Sequence, residues 1–246
     1  MFALNKLRGL PSRPVQVFTS EQTARIAAFF AGRSTNYNVY ETAYRKVVYG
    51  SMIWEAEGFG FIADSVRELV GDGHQLFGDL YLELGDDNTG FEDWHTDHNS
   101  LMPLEEPFDM VSIWISLGAQ TPRTGGGLFI SAPDEISIQL ARISHLETYH
   151  PDVAALYASA RPAVHGHLER TGALHHMRDG ECLVFSNALY HRTEPVKLAG
   201  FVRRCLILRV VKTPLRVSLE RLATLERKGT ADVWVRRWRQ LLARSQ

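Results

Sequence analysis

Apolar residues before residue 76 recur at the spacing of amphipathic helices. This pattern predicts a helix over residues 20–32, which Thr19 or Ser20 can cap at its N-terminus. A second helix is predicted over residues 60–70, where Gly71 provides the usual helix-ending residue. The chain therefore begins with helical elements that each bury one face.

Between residues 76 and 211 the pattern changes to short apolar runs rich in β-forming residues and separated by Gly, Pro, Asn and Asp. An insertion of helical character is predicted over residues 133–160, and one or two helices over residues 218–244. The predicted strands are residues 16–18, 76–84, 110–117, 127–131, 181–185 and 203–211.

Strands without regular strand–helix alternation argue against a parallel doubly wound sheet. They predict a mainly β fold, a jelly-roll barrel with N- and C-terminal helices on its outside. No linker rich in Pro, Gly or Ser divides the 246 residues, so we expect one domain over residues 1–246, with its core at about 76–211.

Composition and charge limit the binding partners and the cellular compartment that we expect. The net charge is −1 and the sequence pI is about 6.8, which gives no indication of nucleic-acid binding. Cys182 and Cys205 lie in apolar runs, as buried free thiols do, and the sequence carries no secretory signal pattern. No run approaches the roughly 20 apolar residues that cross a bilayer. We expect a cytoplasmic protein that does not bind membranes.

The segment Trp94-His95-Thr96-Asp97 carries the first candidate chemistry. Side chains two apart on a strand point to the same side, so His95 and Asp97 can bind the same metal ion. One more histidine would complete the two-histidine, one-carboxylate set that holds iron(II) with open coordination positions. His191 follows an apolar strand and a short turn, and is the candidate.

Basic and hydroxyl side chains follow His191 closely. Arg203 and Arg204 open the next predicted strand, and a guanidinium can bind a dicarboxylate through two parallel hydrogen bonds. Thr193 can add a hydroxyl on the same wall. The order of acid, histidines and arginine is far more specific than a His-X-Asp pair alone.

Three segments in this order resemble the phytanoyl-CoA dioxygenase-like branch of the iron(II)/2-oxoglutarate oxygenases: WHTD at 94–97, VSIWISLGAQTPRTGGGLFI at 111–130, and GECLVFSNALYH with the arginine pair at 180–204. The resemblance implies a double-stranded β-helix and iron(II) bound by His95, Asp97 and His191. It also implies that 2-oxoglutarate places its distal carboxylate on Arg203, beside Trp114. Dioxygen and a small-molecule substrate complete the expected reaction, which releases succinate and carbon dioxide.

The sequence departs from that family in two places. Residues 131–134 (Ser-Ala-Pro-Asp) replace the Gly-Ser-His element that borders the substrate, so relatives do not indicate the substrate. The interval from His191 to Arg203 is also one residue longer than usual, which makes Arg204 a competitor for the carboxylate. In the same family, related halogenases carry a small residue at the position of Asp97. The resemblance therefore implies that the carboxylate of Asp97 favours hydroxylation, or another C–H oxidation, over halogenation.

Other conspicuous residues have plainer interpretations. The histidines at 165, 167, 175 and 176 are expected in a solvated loop or lid, and the glycine run at 124–127 in a tight turn. His98 is expected either in the outer shell of the metal or at the surface. The amphipathic segment at 234–242 is expected to pack on the barrel or to form a dimer contact, with solvated arginines.

The segments 35–50, 98–109 and 133–176 are candidate lids, and they do not determine the substrate. Acidic residues there could meet an amine and basic residues a carboxylate, although solvated surface charge explains both equally well. The residues concerned are Glu105, Glu106, Asp109, Arg142, Arg161 and Arg170, with Tyr40, Tyr44 and Tyr49 as candidate entrance residues.

Two other functions remain open at this level. A cupin-like metalloenzyme would use the same barrel and metal without 2-oxoglutarate. A non-catalytic jelly-roll module would recognise its ligand through loops and would bind no stoichiometric metal.

Overall fold

The computed structural model describes residues 13–36, 43–88, 90–91, 93–97, 103–147, 150–228 and 232–244. The strands of this part of the chain are β1 (Val15–Gln16), β2 (Lys46–Tyr49), β3 (His74–Leu84), β4 (Met110–Ser116), β5 (Leu128–Ile130), β6 (Ala173–His175), β7 (Glu181–Ser186), β8 (His191–Thr193) and β9 (Arg203–Lys212). The α-helices are α1 (Ser20–Ala31), α2 (Phe61–Val70), α3 (Glu135–Glu147), α4 (Pro151–Thr171), α5 (Leu219–Lys228) and α6 (Asp232–Arg244).

The strands form two antiparallel sheets. The larger has six strands in the order β1-β7-β4-β9-β3-β2, and the smaller has three in the order β6-β5-β8. The smaller sheet extends by one bridge, because His95 pairs with His191 at the free edge of β8. The fold is mainly β with flanking helices, as the jelly-roll prediction requires.

The larger sheet is covered on both faces, which explains why its strands read as nearly continuous apolar runs. Trp114 and Ile207 belong to the cluster on the inner face, which also includes Leu128 of the smaller sheet. Ile113 and Leu208 belong to the cluster on the outer face, together with buried residues of α1 and α2. Alternation along β4 and β9 therefore separates the barrel interior from the helix layer.

Local signals set the start of α1 and the end of α2. Thr19 caps α1 with a capping box, accepting from the Gln22 backbone while the Gln22 side chain accepts from the Thr19 backbone. The N–H of Gly71 donates to Arg67 O at the end of α2. None of the helices in the described ranges is both long and apolar enough to cross a membrane.

The C-terminal helix closes one side of the barrel. Trp234, Trp238 and Leu241 are buried on one face of α6, as predicted, and Trp238 packs on Phe77 with ring centres 4.5 Å apart. The prediction that the arginines of this helix are solvated is wrong for Arg237, which is buried and donates to Phe77 O. Its guanidinium is buried because it satisfies carbonyl groups of β3.

We expect Trp238→Ala to destabilise the protein by about 3–5 kcal/mol, the usual cost of truncating a fully buried aromatic side chain. The indole is 0% exposed, so its loss leaves a cavity between α6 and β3. Denaturant unfolding measures the change. Arg239→Ala on the same helix is the control, because its exposed ion pair with Glu226 contributes little to stability. Equal unfolding midpoints for the two variants would contradict this packing.

The histidine-rich region differs from its prediction. His165 and His167 lie in α4, which runs to Thr171, and not in a solvated loop. The helix continues through Pro162 because Val164 and Leu168, one turn apart, pack against Trp94 and Tyr190. Tertiary packing outweighs the unfavourable propensity of Pro162 and Gly166.

Candidate active site

The two candidate histidines are brought together by a backbone bridge. His95 N donates to His191 O at 3.0 Å, and His191 N donates to His95 O at 2.9 Å. The ring centres are 4.4 Å apart. Asp97, two residues further along, fixes its own main chain by donating to Asn187 O at 3.1 Å. The turn that precedes His191 thus also positions the carboxylate.

Each imidazole is oriented by its Nδ1 atom. In His95 this nitrogen lies 2.8 Å from Asp93 O, and in His191 it lies 3.0 Å from Leu189 O. A carbonyl can only accept, so Nδ1 carries the proton and Nε2 presents its lone pair. This is the arrangement that metal-binding histidines normally adopt.

The three side chains converge. One ligand atom from each of His95, Asp97 and His191 lies within 4.8 Å of the others, and His191 Nε2 is 3.8 Å from Asp97 Oδ1. Within the described ranges, no other cluster of His, Cys, Asp and Glu has this metal-compatible geometry. Two imidazoles and one carboxylate suit a divalent transition metal such as iron(II).

Asp97 is held by an arginine that sequence reasoning did not single out. Arg209 Nη1 lies 2.9 Å from Asp97 Oδ2, and Arg209 Nη2 donates to Oδ1 at 3.1 Å. Ser112 Oγ is 3.3 Å from Oδ2. A signal for Arg209 was available, because its charge interrupts an apolar strand whose alternate residues face the barrel interior.

The electrostatics favour the protonation states that a metal needs. Burial, reinforced by the neighbouring His191, lowers the pKa of His95 to about 4. Burial opposes ionisation of Asp97, but the Arg209 and His191 side chains outweigh it and hold its pKa at about 2. At neutral pH the site therefore offers a neutral His95 and an ionised Asp97.

These shifts predict that the metal-free protein loses stability on acidification. Between pH 6.5 and about 4 the unfolded chain protonates His95 while the folded chain does not, so the free energy of unfolding falls as pH falls. Asp97 adds stability above pH 3.8 that is lost as pH drops through about 2. Urea unfolding at a series of pH values, with a chelator present, measures the dependence.

His95→Asn is the comparison for the first window. The variant should show a shallower loss of stability between pH 6.5 and 4 than the parent protein. Identical slopes in that interval would show that His95 titrates at its ordinary pKa in the folded protein.

An inner cavity of about 280 Å³ opens beside the three side chains. Its wall combines apolar barrel residues with polar groups near the cluster. The lining residues include Tyr44, Leu80, Leu82, Phe91, Thr193, Ile207, Trp114, Arg161 and Arg209. Such a mixture of apolar wall and few polar groups is typical of small-molecule sites.

The structure separates the two arginines that compete for a carboxylate. Arg204 faces the opposite side of β9 and is exposed, with Glu83 3.7 Å away. Arg203 points into the interior and is 1% exposed, with its guanidinium carbon 5.2 Å from the centre of the Trp114 ring. Strand alternation produces the difference. Neither arginine is among the residues that line the cavity, but Arg203 lies beside Trp114, which does line it.

Arg203 lacks an acidic partner in the described part of the chain. Its Nη1 donates to Gly126 O at 3.0 Å and its Nη2 contacts Cys205 Sγ at 3.8 Å, while its Nε has no hydrogen-bond partner among the described residues. The indole N–H of Trp114 is also buried, with no partner in the described ranges. A buried, uncompensated guanidinium is costly, so its surroundings favour an added anion.

A glycine turn and two hydroxyl groups complete the surroundings of Arg203. Gly126 has a φ of +77°, and a Cβ there would meet Arg203 Cδ at 3.0 Å, so the predicted tight turn requires this glycine. Thr193 and Tyr44 are buried and hydrogen-bonded to each other. Burial raises the pKa of Tyr44, and the nearby Arg203 opposes that rise.

The remaining candidates fall into three groups. The carboxylate of Asp109 is buried against Arg216, and the carboxylate of Glu106 lies 3.6 Å from Arg142. Neither Asp109 nor Glu106 lines the cavity. His176 Nε2 lies 2.7 Å from Glu194 Oε2, so this histidine has a structural role. His98 and Tyr40 lie outside the described residues, whereas Tyr49 is a core residue packed on Trp234.

Searches against protein-family models and against curated proteins find no match. Solved structures share the fold. The carbocyclase SnoK from nogalamycin biosynthesis, described as non-haem and α-ketoglutarate-dependent, superposes with a TM-score of 0.57 at 15% identity over 89% of this chain and 87% of its own. The epimerase SnoN from the same biosynthesis, described likewise, gives 0.55 at 15% over 87% and 86%.

EctD from S. alaskensis, whose structure contains 2-oxoglutarate and 5-hydroxyectoine, gives a TM-score of 0.51 at 15% identity over 82% of this chain and 72% of its own. At these identities the likeness concerns the fold. This chain therefore has the jelly-roll fold of those proteins, and its chemistry must be argued from its own residues.

Proposed function

We propose that the protein is an iron(II)- and 2-oxoglutarate-dependent oxygenase of the phytanoyl-CoA dioxygenase-like type. Its reaction would be oxidation of a C–H bond of a small molecule, and hydroxylation is the outcome that we propose. The observation that carries the proposal is the donor set. His95, Asp97 and His191 each place one ligand atom within 4.8 Å of the others, and a backbone carbonyl fixes Nδ1 of both histidines. The proteins that share the fold include enzymes described as α-ketoglutarate-dependent, which supports the same reaction class.

In this proposal His95, Asp97 and His191 hold iron(II). Bound together, iron(II) and 2-oxoglutarate would let dioxygen oxidise both 2-oxoglutarate, to succinate and carbon dioxide, and the C–H bond of the substrate. The protein orients the ligands: Arg209 and Ser112 fix the carboxylate of Asp97. Such outer-shell contacts normally set metal affinity.

Arg203 is the proposed anchor for the distal carboxylate of 2-oxoglutarate. It is buried and has no acidic partner in the described segments, while Arg209 already pairs with Asp97. Trp114 and Thr193 line the cavity beside it and offer an indole N–H and a hydroxyl. The apolar residues Leu80, Leu82 and Ile207 exclude water from the same space.

Anaerobic titration tests this function directly. Iron(II) is added to metal-free protein at one equivalent, followed by 2-oxoglutarate, and the visible spectrum is recorded. The expected result is the weak absorption band that forms when 2-oxoglutarate chelates iron(II), saturating at one equivalent. Iron binding without the band would favour a cupin-like metalloenzyme, and no iron binding would favour a non-catalytic binding module.

A further inference from the structure

A second, outer cavity of about 440 Å³ adjoins the site. It shares Trp94, His95, Thr96 and Arg161 with the inner cavity, and α3 and α4 supply most of its remaining wall. The two spaces therefore meet beside His95. A molecule in the outer cavity would reach the metal ligands without occupying the space next to Arg203.

Aromatic side chains form a fixed wall in this cavity. Tyr157 Oη lies 2.5 Å from Tyr190 Oη. The indole of Trp94 donates to Glu169 Oε1 at 2.8 Å, and Arg192, whose guanidinium lies 5.4 Å from the Trp94 ring centre, pairs with Glu169 at 3.1 Å. The wall is suited to a flat apolar body.

Arg161 places a positive charge in the outer cavity. It lies on α4, is exposed, and makes no ion pair or hydrogen bond with another described residue. Two acidic side chains close to the cavity are already engaged, since Glu169 binds Trp94 and Arg192 and Asp97 binds Arg209. Among the described residues that line the outer cavity, Arg161 alone carries a permanent charge.

We propose that the outer cavity binds the organic substrate, and that this substrate is a small carboxylate with a flat apolar body. The carboxylate would pair with Arg161, and the body would lie against Trp94, Tyr157 and Tyr190. The assignment of this ligand as the substrate rests on the proposed oxygenase function, whereas the cavity's preference for such a carboxylate does not. A guanidinium recognises a carboxylate through paired hydrogen bonds, and the aromatic wall provides apolar contact area.

The test uses two probes of the same shape, 2-naphthoate and its neutral amide 2-naphthamide. Their binding to metal-free protein without 2-oxoglutarate is measured by ligand-observed NMR titration. The parent protein should bind the carboxylate about tenfold or more tightly than the amide, as expected for a hydrogen-bonded charged pair. Arg161→Gln should abolish that preference, and Arg161→Lys should retain part of it.

Arg170→Gln is the matched control, since Arg170 is exposed on the same helix and does not line either cavity. Equal binding of the two probes, no binding of the carboxylate, or an unchanged preference in Arg161→Gln would overturn the proposal. A preference lost in Arg203→Gln but kept in Arg161→Gln would also overturn it, because the charge would then be recognised in the inner cavity. Because iron is absent, this result is independent of the spectral titration.

Discussion

Replacement of His191 by Ala is expected to lower iron(II) affinity by more than about 100-fold. Loss of a group that merely orients a metal ligand already costs about 10–100-fold, so loss of a ligand must exceed that range. His191 is also the bridge partner of His95, and the rings lie 4.4 Å apart. Competition with a chelator of known affinity under anaerobic conditions measures the change, together with loss of 2-oxoglutarate turnover.

Controls separate a missing ligand from a damaged fold. His191 is buried and packs on Phe185, so His191→Gln, which fills more of the space, is made alongside the alanine variant. His150→Ala changes an exposed histidine outside both cavities and should leave iron affinity unchanged. Normal iron affinity and turnover in a folded His191→Ala protein would contradict the ligand assignment.

Exchange of Arg203 for Gln is expected to weaken 2-oxoglutarate binding by about 30-fold or more, since breaking a buried charged pair typically costs about 2–5 kcal/mol. Iron(II) binding should persist, because the described hydrogen bonds of Arg203 go to Gly126 O and Cys205 Sγ. Arg203→Lys keeps the charge but loses the planar fork, and should recover only part of the affinity. The measurement is the dependence of the visible band on 2-oxoglutarate concentration.

The neighbouring arginines provide the matched comparison. Arg204→Gln removes an exposed guanidinium on the outer side of β9 and should leave the band unchanged. Arg209→Gln removes the partner of Asp97 and should weaken iron(II) binding first. If Arg203→Gln bound 2-oxoglutarate as tightly as the parent while Arg209→Gln lost it, the carboxylate anchor would be Arg209.

Much of the fold could be predicted from the sequence because both faces of the main sheet are buried. The predicted strand at 203–211 is observed as Arg203–Lys212, and the predicted strand at 181–185 as Glu181–Ser186. Such strands read as apolar runs whatever lies beside them. Strands β2, β6 and β8 were not predicted, and β2, which pairs with β3, lies within the segment 35–50 that the sequence indicated as a lid.

The residues of the site could be predicted from the sequence, whereas the contacts between them could not. His95, Asp97 and His191 stand in an order that the sequence displays, and the structure brings them together. The pairing of Arg209 with Asp97 depends on β9 lying beside β4, which periodicity alone does not reveal. The same holds for α4, whose last turns are helical because the barrel supplies Trp94 and Tyr190 as packing partners.

The proposed function requires that His95, Asp97 and His191 bind iron(II) with 2-oxoglutarate beside them. The most direct measurement is a crystal structure of protein loaded anaerobically with both, with diffraction recorded on either side of the iron absorption edge. We expect one strong anomalous peak within coordination distance of His95 Nε2, His191 Nε2 and an Asp97 oxygen, with a 2-oxoglutarate carboxylate against Arg203. A peak elsewhere, or none at this site, would contradict the proposed function.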